Sequence, residues 1–194
     1  MIVTGIYGGS FNPIHIGHSS LGVALCKQKL VDELWFLVSP HNPLKENASL
    51  MADALRLHLA KLAVDDIKRE HGAEVHLGVS DFEMHLPRPS YMVDTLAKLR
   101  EAYPEREFVL VIGADNWLDF HKWREPDTIM AHHRIIVYPR PGYDIDASTL
   151  PQGVTLANTP LIDISSTEIR QAIANDPNFD GHGLLPSVWK ALQQ

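Results

Sequence analysis

Ile2-Val3-Thr4-Gly5-Ile6-Tyr7-Gly8-Gly9-Ser10-Phe11-Asn12-Pro13-Ile14-His15-Ile16-Gly17-His18 is the stretch that decides how the rest of the chain is read. Residues 2–7 are apolar and rich in β-branched side chains, which predicts a buried strand, and Gly8-Gly9 ends it. The chain then turns through Asn12-Pro13, and a helical pattern runs from near Gly17 to about residue 29. Strand, glycine turn and helix start, in that order, place free backbone N–H groups and a helix dipole where an anion can be held. Gly8-Gly9 lets backbone approach a ligand where a side chain would block it. His15 and His18, three residues apart, share one face of a helical turn, with Gly17 leaving an open N–H between them. The pattern is neither G-x-G-x-x-G nor G-x-x-x-x-G-K-[ST], so neither a dinucleotide fingerprint nor a P-loop is supported.

Outward from this stretch, apolar runs predict further strands at 33–38, 74–79, 107–112 and 134–138, with a minor one at 154–157. Helical patterns fall at 52–67, 91–103, 116–120, 125–131, 167–174 and 186–192. Ser90 reads as the N-cap of the helix at 91–103, and Ser165 or Ser166 as that of the helix at 167–174. Strands alternating with helices, and apolar almost throughout, predict a Rossmann-like, doubly wound parallel sheet of five to six strands with helices on both faces. We expect one domain over 1–194, with a small C-terminal helical part from about 164. In such sheets ligands bind beyond the carboxyl ends of the strands, so the informative loops are 8–18, 39–45, 80–91 and 113–123.

The 194 residues suffice for a full hydrophobic core. A net charge of −7 argues against a broad nucleic-acid-binding face, which needs clustered Lys and Arg, but leaves room for a nucleotide ligand. There is no apolar run of membrane-spanning length and no basic-then-apolar leader pattern, so a cytoplasmic protein without membrane attachment is expected. The lone cysteine, Cys26, excludes an intrachain disulfide and reads as a small core residue. Eleven histidines are scattered, and adjacent His132-His133 would point to opposite sides of a strand, so no protein-held metal site is expected.

Two widely separated segments carry a resemblance. Residues 8–18, Gly-Gly-Ser-Phe-Asn-Pro-Ile-His-Ile-Gly-His, look like the H-x-G-H signature of the nucleotidylyltransferase superfamily. Ile164-Ser165-Ser166-Thr167-Glu168-Ile169-Arg170 resembles its second signature, I-S-S-T-x-I-R. Between them, Pro43-Leu44-Lys45, Arg88-Pro89-Ser90-Tyr91, Asp94-Thr95-Leu96, Ile112-Gly113-Ala114-Asp115, Lys122-Trp123, Arg140-Pro141-Gly142-Tyr143 and Leu184-Leu185-Pro186 are similar, in order and spacing, to the bacterial nicotinate-nucleotide adenylyltransferases.

That resemblance implies transfer of AMP from ATP to nicotinate mononucleotide, with Mg²⁺ bridging ATP oxygens and held mainly by the nucleotide and water. It implies His15, His18, Lys45 and Arg170 as catalytic residues. ATP is expected against Gly8, Gly9, Ser10, Phe11, Gly17, Gly113, Asp115, Ile164, Ser166 and Thr167. The nicotinate nucleotide is expected against Ser90, Tyr91, Met92, Trp123 and Arg124, with Tyr91 and Trp123 sandwiching the pyridine ring and the amides of Met92 and Arg124 binding its carboxylate. The chain departs from the family pattern at Met92, usually Thr, and at Arg124, usually Tyr. Rival readings are a nicotinamide-mononucleotide or dual-specificity adenylyltransferase, a phosphopantetheine adenylyltransferase, and a nucleotide-binding sensor without turnover. Partners are expected to be small molecules, and a homo-oligomer is left open.

Overall fold

Six parallel strands form one sheet in the order β3-β2-β1-β4-β5-β6. They are β1 Ile2–Gly9, β2 Glu33–Val38, β3 Leu77–Ser80, β4 Arg106–Gly113, β5 Ile135–Tyr138 and β6 Val154–Leu156 in a computed structural model that describes residues 1–41 and 49–194. The helices are α1 Ile16–Lys27, α2 Asp53–His71, α3 Met92–Ala102, α4 Ala114–Leu118, α5 Pro126–His132, α6 Ser166–Asn175 and α7 Pro186–Leu192.

Successive strand residues alternate between two cores because side chains leave a strand on opposite faces. Tyr7, Phe36, Val109 and Val111 belong to one core, with residues of α1, α2 and α7. Ile6, Leu37, Phe108, Leu110 and Ile112 belong to the other, with residues of α3 and α5. Both faces are therefore covered, as an all-parallel sheet requires. None of the helices among the described residues is long and apolar enough to cross a membrane.

The sheet follows the sequence reading with three local shifts. First, β1 and β4 run through their terminal glycines, so Gly8, Gly9 and Gly113 are the last rungs of the ladder rather than its end. Second, α2 continues to His71 and stops at Gly72, whose φ of 60° suits glycine. This pushes β3 to start at Leu77, three residues later than expected. Third, α3 is entered through Tyr91, not Ser90, and no side chain caps it.

The order of strands reverses between β1 and β4, and a crevice opens there at the carboxyl edge of the sheet. Arg56 of α2, fully buried, ties the loops of that edge together. Its guanidinium donates to the carbonyls of Ser10 (2.7 Å) and Ser39 (2.8 Å) and pairs with Asp53 at 2.6 Å. One buried cation thus fixes the ends of β1 and β2 against each other.

Candidate active site

The two histidines of the first signature cap their own helix. His15 is the N-cap of α1, and its Nδ1 accepts from the Gly17 N–H at 3.0 Å. His18 answers with its own Nδ1, which accepts from the His15 N–H at 3.1 Å. The two rings stack at 3.7 Å between centroids, so the expected shared face is present. With both Nδ1 atoms accepting from backbone, each neutral ring carries its proton on Nε2. The open Gly17 N–H expected from the sequence does not exist; His15 takes it. Ile16 N–H is also occupied, by the carbonyl of Gly183 at 2.9 Å. The start of the first helix therefore leaves imidazole N–H groups, rather than the amides of Ile16 and Gly17, free to donate.

Gly17 matters for a steric reason instead. A Cβ at this position would lie 2.8 Å from the His15 ring carbon Cε1 and 2.9 Å from Nδ1. Burial, then the positive charge of Arg140, pushes the His15 pKa down to about 4. His18 is held well below the ordinary imidazole value, by burial first and then by His15 and Arg140. Phe11, buried and at a φ of 46°, presses its ring edge-on against His18 with centroids 5.0 Å apart. It supports the imidazole from beneath.

The second signature is fastened to the first. Ser165, not Ser166, is the N-cap of α6 and forms a reciprocal capping box with Glu168. Ser166 Oγ donates to the Pro13 carbonyl at 2.9 Å, and Arg170 Nη1 donates to the Asn12 carbonyl at 2.7 Å. Arg170 Nη2 also reaches Thr167 Oγ1 at 3.3 Å. Segments more than 150 residues apart thus share one turn.

A cleft of about 370 Å³ lies between α1, the end of β5 and the start of α6. His15, Gly17, His18, Ile164 and Ser166 line it, as do Tyr7, Tyr138 and Arg140, which the sequence reading did not select. The hydroxyls of Tyr7 and Tyr138 are 3.1 Å apart, and burial raises the pKa of both phenols, so both keep their protons. Arg140 approaches Asp115 at 3.9 Å. Asp115 Oδ1 is buried and has no hydrogen-bond donor among the described residues. Gly113 leaves room for that carboxylate: an added Cβ would stand 2.5 Å from Asp115 Oδ1. Gly8, Gly9, Ser10, Thr167 and Arg170 stand behind or beside this cleft rather than in its wall. Lys45 falls outside the described residues.

A second cleft, of about 460 Å³, opens on the other side of the Gly-Gly segment. All five residues expected for the nicotinate nucleotide, Ser90, Tyr91, Met92, Trp123 and Arg124, line it. The chain passes from one cleft to the other at Gly8, where a Cβ would meet the Met92 Cε at 3.1 Å. Trp123 packs against Phe120 with centroids 5.1 Å apart. Tyr91 is not stacked on Trp123; the Arg124 guanidinium lies over its ring, 4.6 Å from the centroid. Buried Glu83, which accepts from Thr95 Oγ1 at 3.0 Å, Arg88 and Lys122 also line it and were not among the expected site residues. Among the described residues no group of three or more His, Cys, Asp or Glu side chains is placed to hold a metal ion.

Comparison with known proteins gives the family of the chain. A family model described as cytidylyltransferase-like matches residues 6–172. A probable nicotinate-nucleotide adenylyltransferase from Bacteroides fragilis is 49% identical over 98% of this chain and 91% of its own length. One of the same name from Bacteroides thetaiotaomicron is 47% identical over the same shares. Among solved structures, the nicotinic acid mononucleotide adenylyltransferase of Plasmodium falciparum complexed with APC superposes with a TM-score of 0.77 at 22% identity. It covers all of this chain and 96% of that one, a likeness of fold. The chain belongs to the cytidylyltransferase-like family, among the nicotinate-nucleotide adenylyltransferases.

Proposed function

We propose that the protein transfers AMP from ATP to nicotinate mononucleotide, releasing pyrophosphate and forming nicotinate adenine dinucleotide. The observation that carries this reading is two clefts on either side of the end of β1, where Tyr7 lines the first and Gly8 packs against Met92 of the second: one cleft holds paired neutral imidazoles, the other aromatic rings and cations. The acceptor's 5′-phosphate oxygen attacks the α-phosphorus of ATP, and the bond from that phosphorus to the pyrophosphate oxygen breaks. The nucleophile is already an anion, so the protein supplies alignment and charge stabilisation.

His15 and His18 point Nε2–H donors at the phosphates from the first cleft, and His18 is assigned to the α-phosphate. Their depressed pKa values suit that work. Each ring enters as a neutral donor, and the arriving phosphate charge raises its proton affinity as negative charge builds on the transferring group. Ser166, Thr167 and Arg170 hold the outer phosphates at the start of α6. The N–H groups of Ser166 and Thr167 have no acceptor among the described residues, and the helix dipole favours an anion there. The donorless Oδ1 of Asp115 is an acceptor for ribose hydroxyls, with the adenosine against Gly113. In the second cleft Tyr91 and Trp123 take the pyridine ring.

Mg²⁺ enters as part of the ATP complex: Asp163 and Glu168 line the first cleft, but among the described residues no group of three or more His, Cys, Asp or Glu side chains is placed to hold an ion. It neutralises phosphate charge when bound.

Mixing the protein with ATP, Mg²⁺ and nicotinate mononucleotide should release pyrophosphate and give the dinucleotide. Silence with this acceptor, or faster turnover with phosphopantetheine, would refute the reading.

A further inference from the structure

Among the described residues that line the second cleft, Arg124 differs from the other two long-chain cations in having no carboxylate partner. Lys122 is paired with Asp119 at 3.1 Å, and Arg88 reaches Asp53 at 3.5 Å and the His41 carbonyl at 3.2 Å. The carboxylate in the lining, Glu83, is buried and held by hydroxyl groups. Arg124 has no carboxylate partner among the described residues and rests on the face of Tyr91, which is 40% exposed. The residue that follows it, Glu125, has a φ of 48°, a conformation that L-residues adopt at a cost. Trp123, Arg124 and Glu125 thus form a bend between the 3₁₀ turn Phe120–Lys122 and α5, aimed back at the cleft.

We infer that Arg124 is a specificity-determining residue whose guanidinium pairs with the ring carboxylate of the acceptor and disfavours its amide counterpart. The inference rests on the reading of the protein as an adenylyltransferase of the nicotinate nucleotide. For in-line attack, the acceptor's phosphate must face the histidine cleft across Gly8. Its ring is then left to the far part of the second cleft, bounded by Tyr91, Trp123 and Arg124.

The acid nucleotide presents a ring that is positive at nitrogen and negative at its substituent. The amide nucleotide presents the positive charge alone. A guanidinium at the ring's edge therefore attracts one and repels the other, so attraction and repulsion both widen the discrimination. The planar fork of arginine can take both carboxylate oxygens while keeping its face on Tyr91.

The test compares kcat/KM for nicotinate and nicotinamide mononucleotides in the wild-type protein, Arg124→Gln and Arg124→Lys, with calorimetric titration of each nucleotide alongside. The acid-to-amide ratio should fall about five- to tenfold in Arg124→Gln, the scale of one partly exposed charge contact. The loss should appear in the KM and Kd of the acid, with Arg124→Lys intermediate. An equal change for both nucleotides, or an unchanged ratio, would overturn the assignment while leaving the adenylyl transfer intact. A wild-type protein that makes no dinucleotide from the acid would overturn both.

Discussion

The two clefts are built on different principles. In the histidine cleft the imidazoles and the second signature are fixed by hydrogen bonds to backbone: the His15 ring accepts from the Gly17 N–H, the His18 ring from the His15 N–H, and Ser166 and Arg170 grip the carbonyls of Pro13 and Asn12. In the acceptor cleft the aromatic side chains are held by looser contacts, a tilted Phe120–Trp123 pair and the Arg124 guanidinium over the face of Tyr91. On the proposed function, the first is preorganised for charge that appears during reaction, and the second is a seat for a flat ring. Substitutions in the first should therefore act on turnover and on stability, and those in the second on acceptor binding.

The largest effect expected from this contrast is on stability in acid. His15 has a folded pKa of about 4 against an ordinary value of 6.5. Between these values the unfolded chain binds a proton that the native protein does not, so stability falls as pH drops from 6.5 towards 4 and rises in the other direction. The shift corresponds to about 3 kcal/mol, and His18 adds in the same direction. Urea melts across this range should show the loss. His15→Asn, which keeps an N-cap acceptor for Gly17 without the titration, should make the slope shallower and leave the part due to His18. A flat wild-type profile would mean the imidazoles are solvated.

Next is His18→Ala, expected to lower kcat by about 10²-fold through loss of a transition-state donor. Near-normal turnover would remove His18 from the mechanism. Gly17→Ala should come third, with kcat down about tenfold, because its Cβ displaces the His15 ring without removing any polar group. A larger loss than in His18→Ala would show that the turn itself, rather than the imidazoles, is what matters. The smallest effect is expected for Trp123→Ala. It should raise KM for the pyridine nucleotide about fivefold and leave KM for ATP nearly unchanged. Equal changes for both substrates would erase the distinction between the clefts.

The same contrast explains what could be read from the sequence. The four strands with long apolar runs, and hence the parallel sheet and its carboxyl edge, were legible because burial on both faces leaves few polar positions; Thr4 of β1, buried and bonded to Glu33, is one. β3 was misplaced because Lys68, Arg69, Glu70 and His71 continue α2 without any apolar signal, and Val75, though buried, precedes the ladder. The cleft-lining residues of both signatures were legible from motif and spacing. Their joining was not: Arg170 meets Asn12 across 158 positions, through a carbonyl that any residue could supply. Arg140 and Tyr138 were missed although they sit at and just beyond the end of β5, where the rule about carboxyl ends would have flagged them. The role of Gly17 was misread because a free N–H and a sterically required glycine look alike in sequence.

The central claim is that the imidazoles of α1 and the start of α6 hold one nucleotide while the second cleft holds the other. A crystal structure with nicotinate adenine dinucleotide bound tests it most directly. The account predicts the adenylyl phosphate within hydrogen-bond distance of His18 Nε2, the adenosine beside Gly113, and the pyridine ring against Trp123. A dinucleotide lying wholly on one side of Gly8, with either cleft unfilled, would contradict it.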